Sequence, residues 1–307
     1  MKRGILITGG GGLLGGLIAD RLYSRADEFA LVFVTSKVDK LAARYPNACV
    51  FSNAAFATSD AAFEGVDTVI HAGFSRLDDA AALMSSIEFT SDLMQRAIAL
   101  GIYDLINISS RSVYGQTPLP WTEQSPVRPH SPYAVAKLTT ELLASILNTS
   151  YGVNGGITSI RLAGLIHETL EARVLNKFVK AALEQHELSV TGGRQQFAFL
   201  HADDAADAIV ALLDVPLSER KPLYNLASER RYTILELANE VARIGEDRHG
   251  ERITVNFTPS DAALIDGMDG ALFYSDVGWR PRITIDDMVT RLYIHAERTI
   301  RRECANC

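Results

Sequence analysis

The fold is decided by one stretch near the beginning of the chain, which reads Ile5-Leu6-Ile7-Thr8-Gly9-Gly10-Gly11-Gly12-Leu13-Leu14-Gly15. Its apolar start predicts a short buried strand over 4–8, and apolar residues at helical spacing after the glycines predict a helix. The glycines at 9, 12 and 15 follow the spacing G-x-x-G-x-x-G. No G-K-[ST] follows them, so the loop is not a P-loop.

This glycine loop predicts a site for a dinucleotide. We expect Gly9 to permit the tight turn, Gly12 to let the backbone approach a pyrophosphate, and Gly15 to allow close helix–strand packing. The helix N-terminus adds amides and the positive end of its dipole. A flexible glycine turn is the alternative, but the flanking strand and helix favour the dinucleotide. The loop residues expected to contact it are Gly9, Gly12, Leu13, Leu14 and Gly15.

Outward from the loop, predicted strands and helices alternate. Further strands are expected over 31–34, 66–72, 104–109 and 159–162. This alternation implies parallel pairing through right-handed crossovers, and therefore an α/β fold with a doubly wound parallel Rossmann sheet. In the second half, helices are expected near 168–185, 202–214 and 233–244. They predict a smaller C-terminal α/β lobe that binds the substrate and packs on the sheet.

The composition excludes several other classes of protein. Of 307 residues, 47% are apolar and 22% are charged, as in ordinary globular enzymes. The net charge of −7 gives no basic surface for nucleic acid, and no apolar run approaches the length of a membrane helix. Three cysteines, Cys49, Cys304 and Cys307, cannot form a disulfide framework, so we expect a cytoplasmic location. We expect no metal site.

A second feature is a set of hydroxyl and amine side chains. Ser110 follows a predicted strand, while Tyr133 and Lys137 stand four residues apart on one face of a predicted helix. A phenol has an ordinary pKa of about 10, and a neighbouring ammonium group favours the phenolate, which makes tyrosine a usable proton acceptor or donor. A serine would position the same substrate oxygen. The pattern predicts Ser110, Tyr133 and Lys137 as catalytic residues.

At these residues the chain resembles the extended short-chain dehydrogenases, the NAD-dependent epimerase/dehydratase family of sugar-nucleotide epimerases, dehydratases and ketoreductases. Four later motifs carry the resemblance almost to the end of the chain: Val66-Asp67-Thr68-Val69-Ile70-His71-Ala72-Gly73, Phe199-Leu200-His201-Ala202-Asp203-Asp204, Tyr224-Asn225-Leu226-Ala227-Ser228 and Val277-Gly278-Trp279-Arg280-Pro281. The resemblance implies hydride transfer between a sugar-like small molecule and NAD(P), with Tyr133 handling the proton.

The resemblance also implies a domain division and an assembly. A dinucleotide-binding domain would cover 1–165, the segments near 197–228 would return to it, and 166–307 would form mainly the substrate lobe. Homodimers through paired helices are common in this family. The residues implied to bind the cofactor, besides the glycine loop, are Thr35, Ser36, Lys37, Asn53, Ala54, His71, Ala72, Gly73, Tyr133 and Lys137.

The chain departs from the family pattern at five places, two of which are Asn53, where an aspartate is usual, and Ser86, where an asparagine is usual. NAD-specific members have an acidic residue after the second strand, where this chain has Thr35-Ser36-Lys37, so we expect NADP rather than NAD. Arg111-Ser112 replaces the Asp-Glu pair of the dehydratases, so we expect no 4,6-dehydratase activity. Phe197-Ala198 replaces an Arg-Asp pair whose arginine often contacts a nucleotide-sugar pyrophosphate. Other candidate anion contacts are Arg161, Arg194, Arg230, Arg231 and Arg280.

Several functions stay open at this point. An epimerase would retain its cofactor through the cycle, whereas a ketoreductase would exchange it. A reductase or dehydrogenase of a non-sugar ketone or lactone is the alternative, which the missing Arg-Asp pair favours. A non-catalytic redox sensor would usually lack the tyrosine or the lysine, and this chain has both.

Overall fold

The computed structural model describes residues 1–76, 79–152, 156–193, 196–260 and 267–305. Arg194 and Cys307 lie outside these residues. The strands are β1 Arg3–Thr8, β2 Phe29–Thr35, β3 Cys49–Ser52, β4 Thr68–His71, β5 Asp104–Ser110, β6 Ile157–Leu162, β7 Gly164–Ile166, β8 Glu187–Gly193, β9 Gln196–Phe197, β10 Phe199–His201, β11 Leu223–Leu226, β12 Tyr232–Thr233 and β13 Thr254–Ser260. The helices are α1 Leu13–Tyr23, α2 Val38–Arg44, α3 Asn53–Thr58, α4 Ala80–Ala99, α5 Pro132–Tyr151, α6 Val174–Gln185, α7 Ala202–Leu212, α8 Ile234–His249, α9 Ala271–Val277 and α10 Ile285–Ala305.

Seven parallel strands form the central sheet in the order β11-β6-β5-β4-β1-β2-β3. The chain moves outward from β1 through β2 to β3, then returns to β4 on the other side of β1. Thr8 at the end of β1 is therefore paired with Val34 on β2 and with His71 on β4. A doubly wound sheet binds its ligand where the strand order reverses, so this edge is the expected site. The Rossmann-like α/β fold predicted from the sequence is confirmed.

Both faces of the sheet are covered by helices. Ile5 and Ile7 pack with α1 and α7 on one face, while Leu6 packs with α4 and α5 on the other. Burial on both faces is why β1 reads as an unbroken apolar run. The helix α5 begins where the hydroxyl of Ser131 accepts a 3.2 Å hydrogen bond from the amide of Ala134, and it ends at Gly152, whose φ of 64° favours glycine.

A second core lies beside this sheet. It is formed by α6, α8 and α10 against the parallel pair β8–β13. Two later segments belong instead with the central sheet: β11 is its edge strand beside β6, and α7 packs against α1 on one of its faces. No helix in the described part of the chain has the length and apolar character that crossing a membrane requires.

Candidate functional site

A cleft of about 510 Å³ opens at the carboxyl ends of the central strands, above the glycine loop. The glycines in this loop leave no room for side chains. A Cβ atom on Gly9 would lie 2.5 Å from the amide nitrogen of Gly73, and one on Gly15 would lie 2.3 Å from the carbonyl oxygen of Gly9. Gly9 also has a φ of 73°, which other residues rarely adopt. The loop is held by a 2.9 Å hydrogen bond from the amide of Gly12 to the carbonyl of Gly9.

The N-terminus of α1 faces the same loop. Gly12 is its N-cap residue, no side chain caps the helix, and its first turn holds no acid. Its first amides and the positive end of its dipole are therefore available to an anion. The glycine cradle and this helix end together fit the pyrophosphate of a dinucleotide, as the sequence predicts.

One end of the cleft is lined by Thr35, Ser36, Lys37 and Asn53. The hydroxyl of Thr35 accepts a 3.0 Å hydrogen bond from the amide of Lys37, and the Nζ atom of Lys37 lies 3.5 Å from the carbonyl oxygen of Gly11. No Asp or Glu is among the described residues that line this cleft. Ala54, the other residue predicted here, is exposed on α3 and does not line it.

His71 lies behind the cleft and cross-links three elements. Its Nδ1 is 2.7 Å from the hydroxyl of Thr8, and its Nε2 is 2.8 Å from the hydroxyl of Thr90 on α4. Burial, and then the charge of Lys137, lowers the pKa of His71 to about 3, so the ring is neutral. Its ring nitrogens are thus engaged in fixing the β1 and β4 ends. The following residues, Ala72 and Gly73, do line the cavities of the site.

The predicted catalytic residues meet in a second cavity of about 210 Å³ that shares Gly9, Gly12 and Phe74 with the cleft. Ser110, Tyr133 and Lys137 all line it, together with the loop residues Leu13 and Leu14. The strand β5 ends at Ser110, whose hydroxyl accepts hydrogen bonds from the amide of Ser112 at 3.2 Å and from its hydroxyl at 3.0 Å. The geometry therefore brings three residues together that are up to 27 positions apart.

Lys137 is almost completely enclosed. Its Nζ donates a 2.7 Å hydrogen bond to the carbonyl of Ile108 and lies 3.8 Å from the centre of the Phe74 ring. The Tyr133 ring meets the same phenylalanine edge-on, with 6.2 Å between the ring centres. Burial, and then the charge of Arg76, lowers the pKa of Lys137 to about 7, against a smaller opposing effect of Glu141.

A buried ion pair supports this arrangement one helical turn along α5. The carboxylate of Glu141 accepts hydrogen bonds from Nε of Arg161 at 3.0 Å and from its Nη2 at 2.7 Å. It also accepts a hydrogen bond from the hydroxyl of Ser109, the neighbour of Ser110. The pair thus ties α5 to the ends of β5 and β6, which carry the site.

The arginines proposed as anion contacts have different surroundings. Arg161 is buried against Glu141, while Arg230 and Arg280 pair with Glu236 and Glu229. Arg231 lines a separate cavity of about 660 Å³ beside 267–271. Among the described residues, no group of His, Cys, Asp and Glu is arranged to hold a metal ion.

Several site residues escaped the sequence analysis. Phe74, Ser85 and Phe89 line the cleft, and Trp121, His130 and Arg173 line the space beyond Tyr133. Phe74 directly follows the motif that ends at Gly73 and could have been found there. The others come from helices and loops whose sequence carries no motif.

A profile of the NAD dependent epimerase/dehydratase family matches residues 5–227, from Ile5 on β1 to Ala227 in the Tyr224 motif. The chain belongs to this family. It is therefore an NAD(P)-dependent enzyme of the extended short-chain dehydrogenase type, as the motifs predict.

Among curated proteins, UDP-glucuronic acid decarboxylase 1 of Arabidopsis thaliana is 23% identical over 94% of this chain and 68% of that protein. The chain spans about half the length of several further curated relatives. Among solved structures, UDP-glucuronic acid 4-epimerase of Bacillus cereus, in complex with UDP-glucuronic acid and NAD, superposes with a TM-score of 0.78 at 19% identity, over 96% of this chain and 99% of the other. The RMD protein of Pseudomonas aeruginosa, complexed with NADPH, gives 0.76 at 23% identity, over 97% and 100%.

Proposed function

We propose that this chain is an NAD(P)-dependent epimerase or ketoreductase that acts on a secondary alcohol or ketone of a sugar or nucleotide sugar. The observation that carries the proposal is the cavity that Ser110, Tyr133 and Lys137 line together, continuous with the glycine cleft. Relatives that act on or bind nucleotide sugars support the substrate class.

Each of the three side chains has a defined task in this proposal. Ser110 is the last residue of β5, where its hydroxyl is oriented by Ser112 and hydrogen-bonds the reacting oxygen of the substrate. Tyr133 accepts the proton of that oxygen during oxidation and returns it during reduction. Lys137 stabilises negative charge on the tyrosine oxygen from the same helical face. A bound NAD(P) supplies the hydride acceptor or donor.

The cofactor would lie along the glycine loop, with Gly9, Gly12, Gly15 and the start of α1 around its pyrophosphate. Thr35, Ser36, Lys37 and Asn53 would surround the adenosine, and we propose NADP as the preferred cofactor because no acid lines this end of the cleft among the described residues.

We also propose a homodimer through α4 and α5. These helices pack side by side. Val135, Leu142 and Ile146 are exposed at helical spacing on α5, and Met84 is exposed on α4. Such an apolar face is typical of a protein interface, and a second copy of the same face would cover it in the isologous manner of a two-fold dimer.

The proposed activity is tested by adding UDP-glucose, UDP-glucuronic acid or dTDP-glucose to the purified protein with NADP or NAD. Turnover is followed by the absorbance of reduced nicotinamide and by chromatography of the sugar products. An epimer formed without net cofactor reduction identifies an epimerase, whereas stoichiometric reduction of the nicotinamide identifies a dehydrogenase or a ketoreductase running in its reverse direction. Cofactor binding with no conversion of any of these sugars, in the presence of the intact site, would refute the nucleotide-sugar assignment.

A further inference from the structure

The segment 167–173 joins β7 to α6 and borders two cavities of the site. Leu170 lines the cavity of about 210 Å³ that Tyr133 and Lys137 share. Arg173 lines a further cavity, of about 300 Å³, which adjoins it at Tyr133. The two residues between Leu170 and Arg173 are exposed to solvent. One side of the segment thus bounds the space proposed for the reacting half of the cofactor, and its other side meets solvent.

Glu168 lies between two histidines near the beginning of this segment. Its Oε2 atom is 3.3 Å from Nε2 of His167 and 3.8 Å from Nε2 of His201. The amide of Thr169 donates a 3.2 Å hydrogen bond to Nδ1 of His167. The amide of Asp203 donates to Nδ1 of His201, also at 3.2 Å. Each neutral ring therefore carries its hydrogen on Nε2, the atom that faces Glu168.

The contact between Glu168 and His201 joins the segment to the central sheet. The imidazole of His201 lowers the pKa of the Glu168 carboxyl to about 2, so the carboxylate is charged and attracts the N–H group. His201 is buried, ends β10 and caps α7 with its side chain. The helix α7 packs against α1, which begins at the glycine loop. Glu168 thus connects a segment with a solvent-facing side to the frame that carries the cofactor loop.

Backbone hydrogen bonds fold the segment on itself and tie it to α6. The amide of Leu170 donates to the carbonyl of His167 at 3.0 Å. The side-chain amide of Asn176 on α6 donates to the carbonyls of His167 and Glu168, at 3.1 Å and 3.3 Å. These bonds do not reach the central sheet, whereas the carboxylate of Glu168 does so through His201.

We infer that Glu168 is a positioning residue, which holds Leu170 at the reaction cavity by fastening the 167–173 segment to His201. The inference rests on the proposed function, which places the reacting half of the cofactor beside Tyr133. Glu168 does not line either cavity that Tyr133 lines, so a change at Glu168 acts through the segment rather than by direct contact. Without its carboxylate the segment moves away from the cavity more often, and a bound cofactor leaves faster.

The first experiment measures the release of bound NADPH or NADH by stopped-flow fluorescence, after a chase with an excess of the oxidised cofactor. Glu168→Ala should release the cofactor about tenfold faster than the wild type, because both imidazole contacts are lost. Glu168→Gln keeps an oxygen that accepts hydrogen bonds and should stay within about threefold of the wild type. Glu171→Ala is the matched control, because Glu171 is exposed on the same segment and should release the cofactor at the wild-type rate.

A second experiment uses the cofactor-free protein. Hydrogen–deuterium exchange, read by mass spectrometry of peptides, reports how often the segment opens. Glu168→Ala should speed exchange about tenfold in the peptide that contains the hydrogen-bonded amides of Thr169 and Leu170. Peptides from α5 and α7 should exchange as in the wild type, and Glu171→Ala should match the wild type throughout.

Equal release rates in Glu168→Ala and the wild type would overturn the inference. Faster exchange throughout the chain would also overturn it, since Glu168 would then stabilise the whole fold rather than the segment. Faster release and faster local exchange, without conversion of any nucleotide sugar, would support the positioning role and refute the nucleotide-sugar assignment. Conversion of a nucleotide sugar with equal release rates would leave the proposed function standing and remove the positioning role.

Discussion

The Nζ atom of Lys137 lies 3.8 Å from the centre of the Phe74 ring, which places a basic group against an aromatic face inside the protein. Its hydrogen bond to the carbonyl of Ile108 fixes the amine. These two contacts are with a neutral carbonyl group and an aromatic ring, and neither is with a carboxylate. A charged amine in such a place interacts favourably with the ring and still loses its hydration. The loss of hydration outweighs the attraction to the ring, as the lowered pKa of Lys137 indicates.

This burial predicts a pH-dependent cost to stability. The unfolded chain holds the lysine proton up to about pH 10, whereas the folded chain releases it at about pH 7. The cost of burying the charge is therefore full below pH 7 and declines as the pH rises towards 10. In urea titrations of the cofactor-free protein, wild type should gain stability relative to Lys137→Met across this window, by at most about 1.4 kcal/mol per pH unit.

Lys40→Met provides the control, because it removes an exposed lysine of α2 and is measured over the same pH range. A constant difference between wild type and Lys137→Met from pH 6 to pH 10 would show that Lys137 does not titrate in this range.

Tyr133 is predicted to be the proton-transfer group, so Tyr133→Phe should lower kcat by at least about a hundredfold. Cofactor affinity should stay within about threefold, because only the hydroxyl is lost and the ring can keep its contact with Phe74. Single-turnover kinetics and fluorescence titration of the cofactor measure the two effects separately. Retention of more than about a tenth of the activity, equal to about 1.4 kcal/mol of barrier, would contradict this role.

The buried pair Glu141–Arg161 predicts a large effect on stability. Glu141→Ala leaves the guanidinium of Arg161 and the hydroxyl of Ser109 without their acceptor, and should destabilise the protein by about 3–5 kcal/mol. Glu28→Ala removes an exposed partner of Arg25 and should change stability far less. Chemical denaturation of both variants measures the contrast. Equal losses would mean that the buried pair contributes no more than a surface pair.

The central sheet could be predicted because its strands are buried on both faces. Continuous apolar runs such as 5–7 then stand out against the helices between them. The edge strand β3 and the helix α10 gave no comparable signal. β3 is only partly buried, and in the described part of α10 the buried apolar residues Met288, Val289, Leu292 and Tyr293 recur at helical spacing between polar residues rather than in a continuous run. The sequence analysis missed both elements.

The site could be predicted where chemistry requires a fixed spacing, as between Tyr133 and Lys137 on one helix. It could not be predicted where tertiary packing alone brings residues together. Arg173 lies some 40 residues beyond Tyr133 and reaches the same cavity only because α6 packs beside the sheet. A position in or near a motif also does not ensure that a side chain lines the cleft. Ala54 does not line it, and His71 lies behind it, bonded to Thr8.

The exposed face of α5 predicts the state of assembly. Leu142 and Ile146 are among its most exposed apolar residues, at 55% and 60%. If this face forms the proposed dimer, the double variant Leu142→Glu and Ile146→Glu should be monomeric, because charges are costly to bury in an interface. Light scattering measures the state of assembly, and circular dichroism should show unchanged secondary structure. Ile300→Glu, on the exposed part of α10, is the control and should leave the dimer intact. A wild-type protein that is monomeric at micromolar concentration would contradict the proposal.

The choice between NADP and NAD depends on the end of the cleft beside β2. The side chain of Lys37 packs over Gly11, and Lys37 and Ser36 both line this end of the cleft, where they would contact a 2′-phosphate on the adenosine ribose of a bound NADP. Arg44 on α2 pairs with Asp20, and Lys37 is the one lysine or arginine among the described residues that line this cleft. Because Lys37 is exposed, its attraction for the phosphate is worth at most about 1 kcal/mol, or about fivefold in affinity.

Lys37→Ala should therefore weaken NADP binding by about fivefold and leave NAD binding nearly unchanged. Lys40→Ala is the control and should change neither affinity, because Lys40 is exposed and does not line the cleft. Fluorescence titrations of both cofactors measure these constants, and tighter binding of NAD by the wild type, or equal loss for both cofactors in Lys37→Ala, would contradict the preference for NADP.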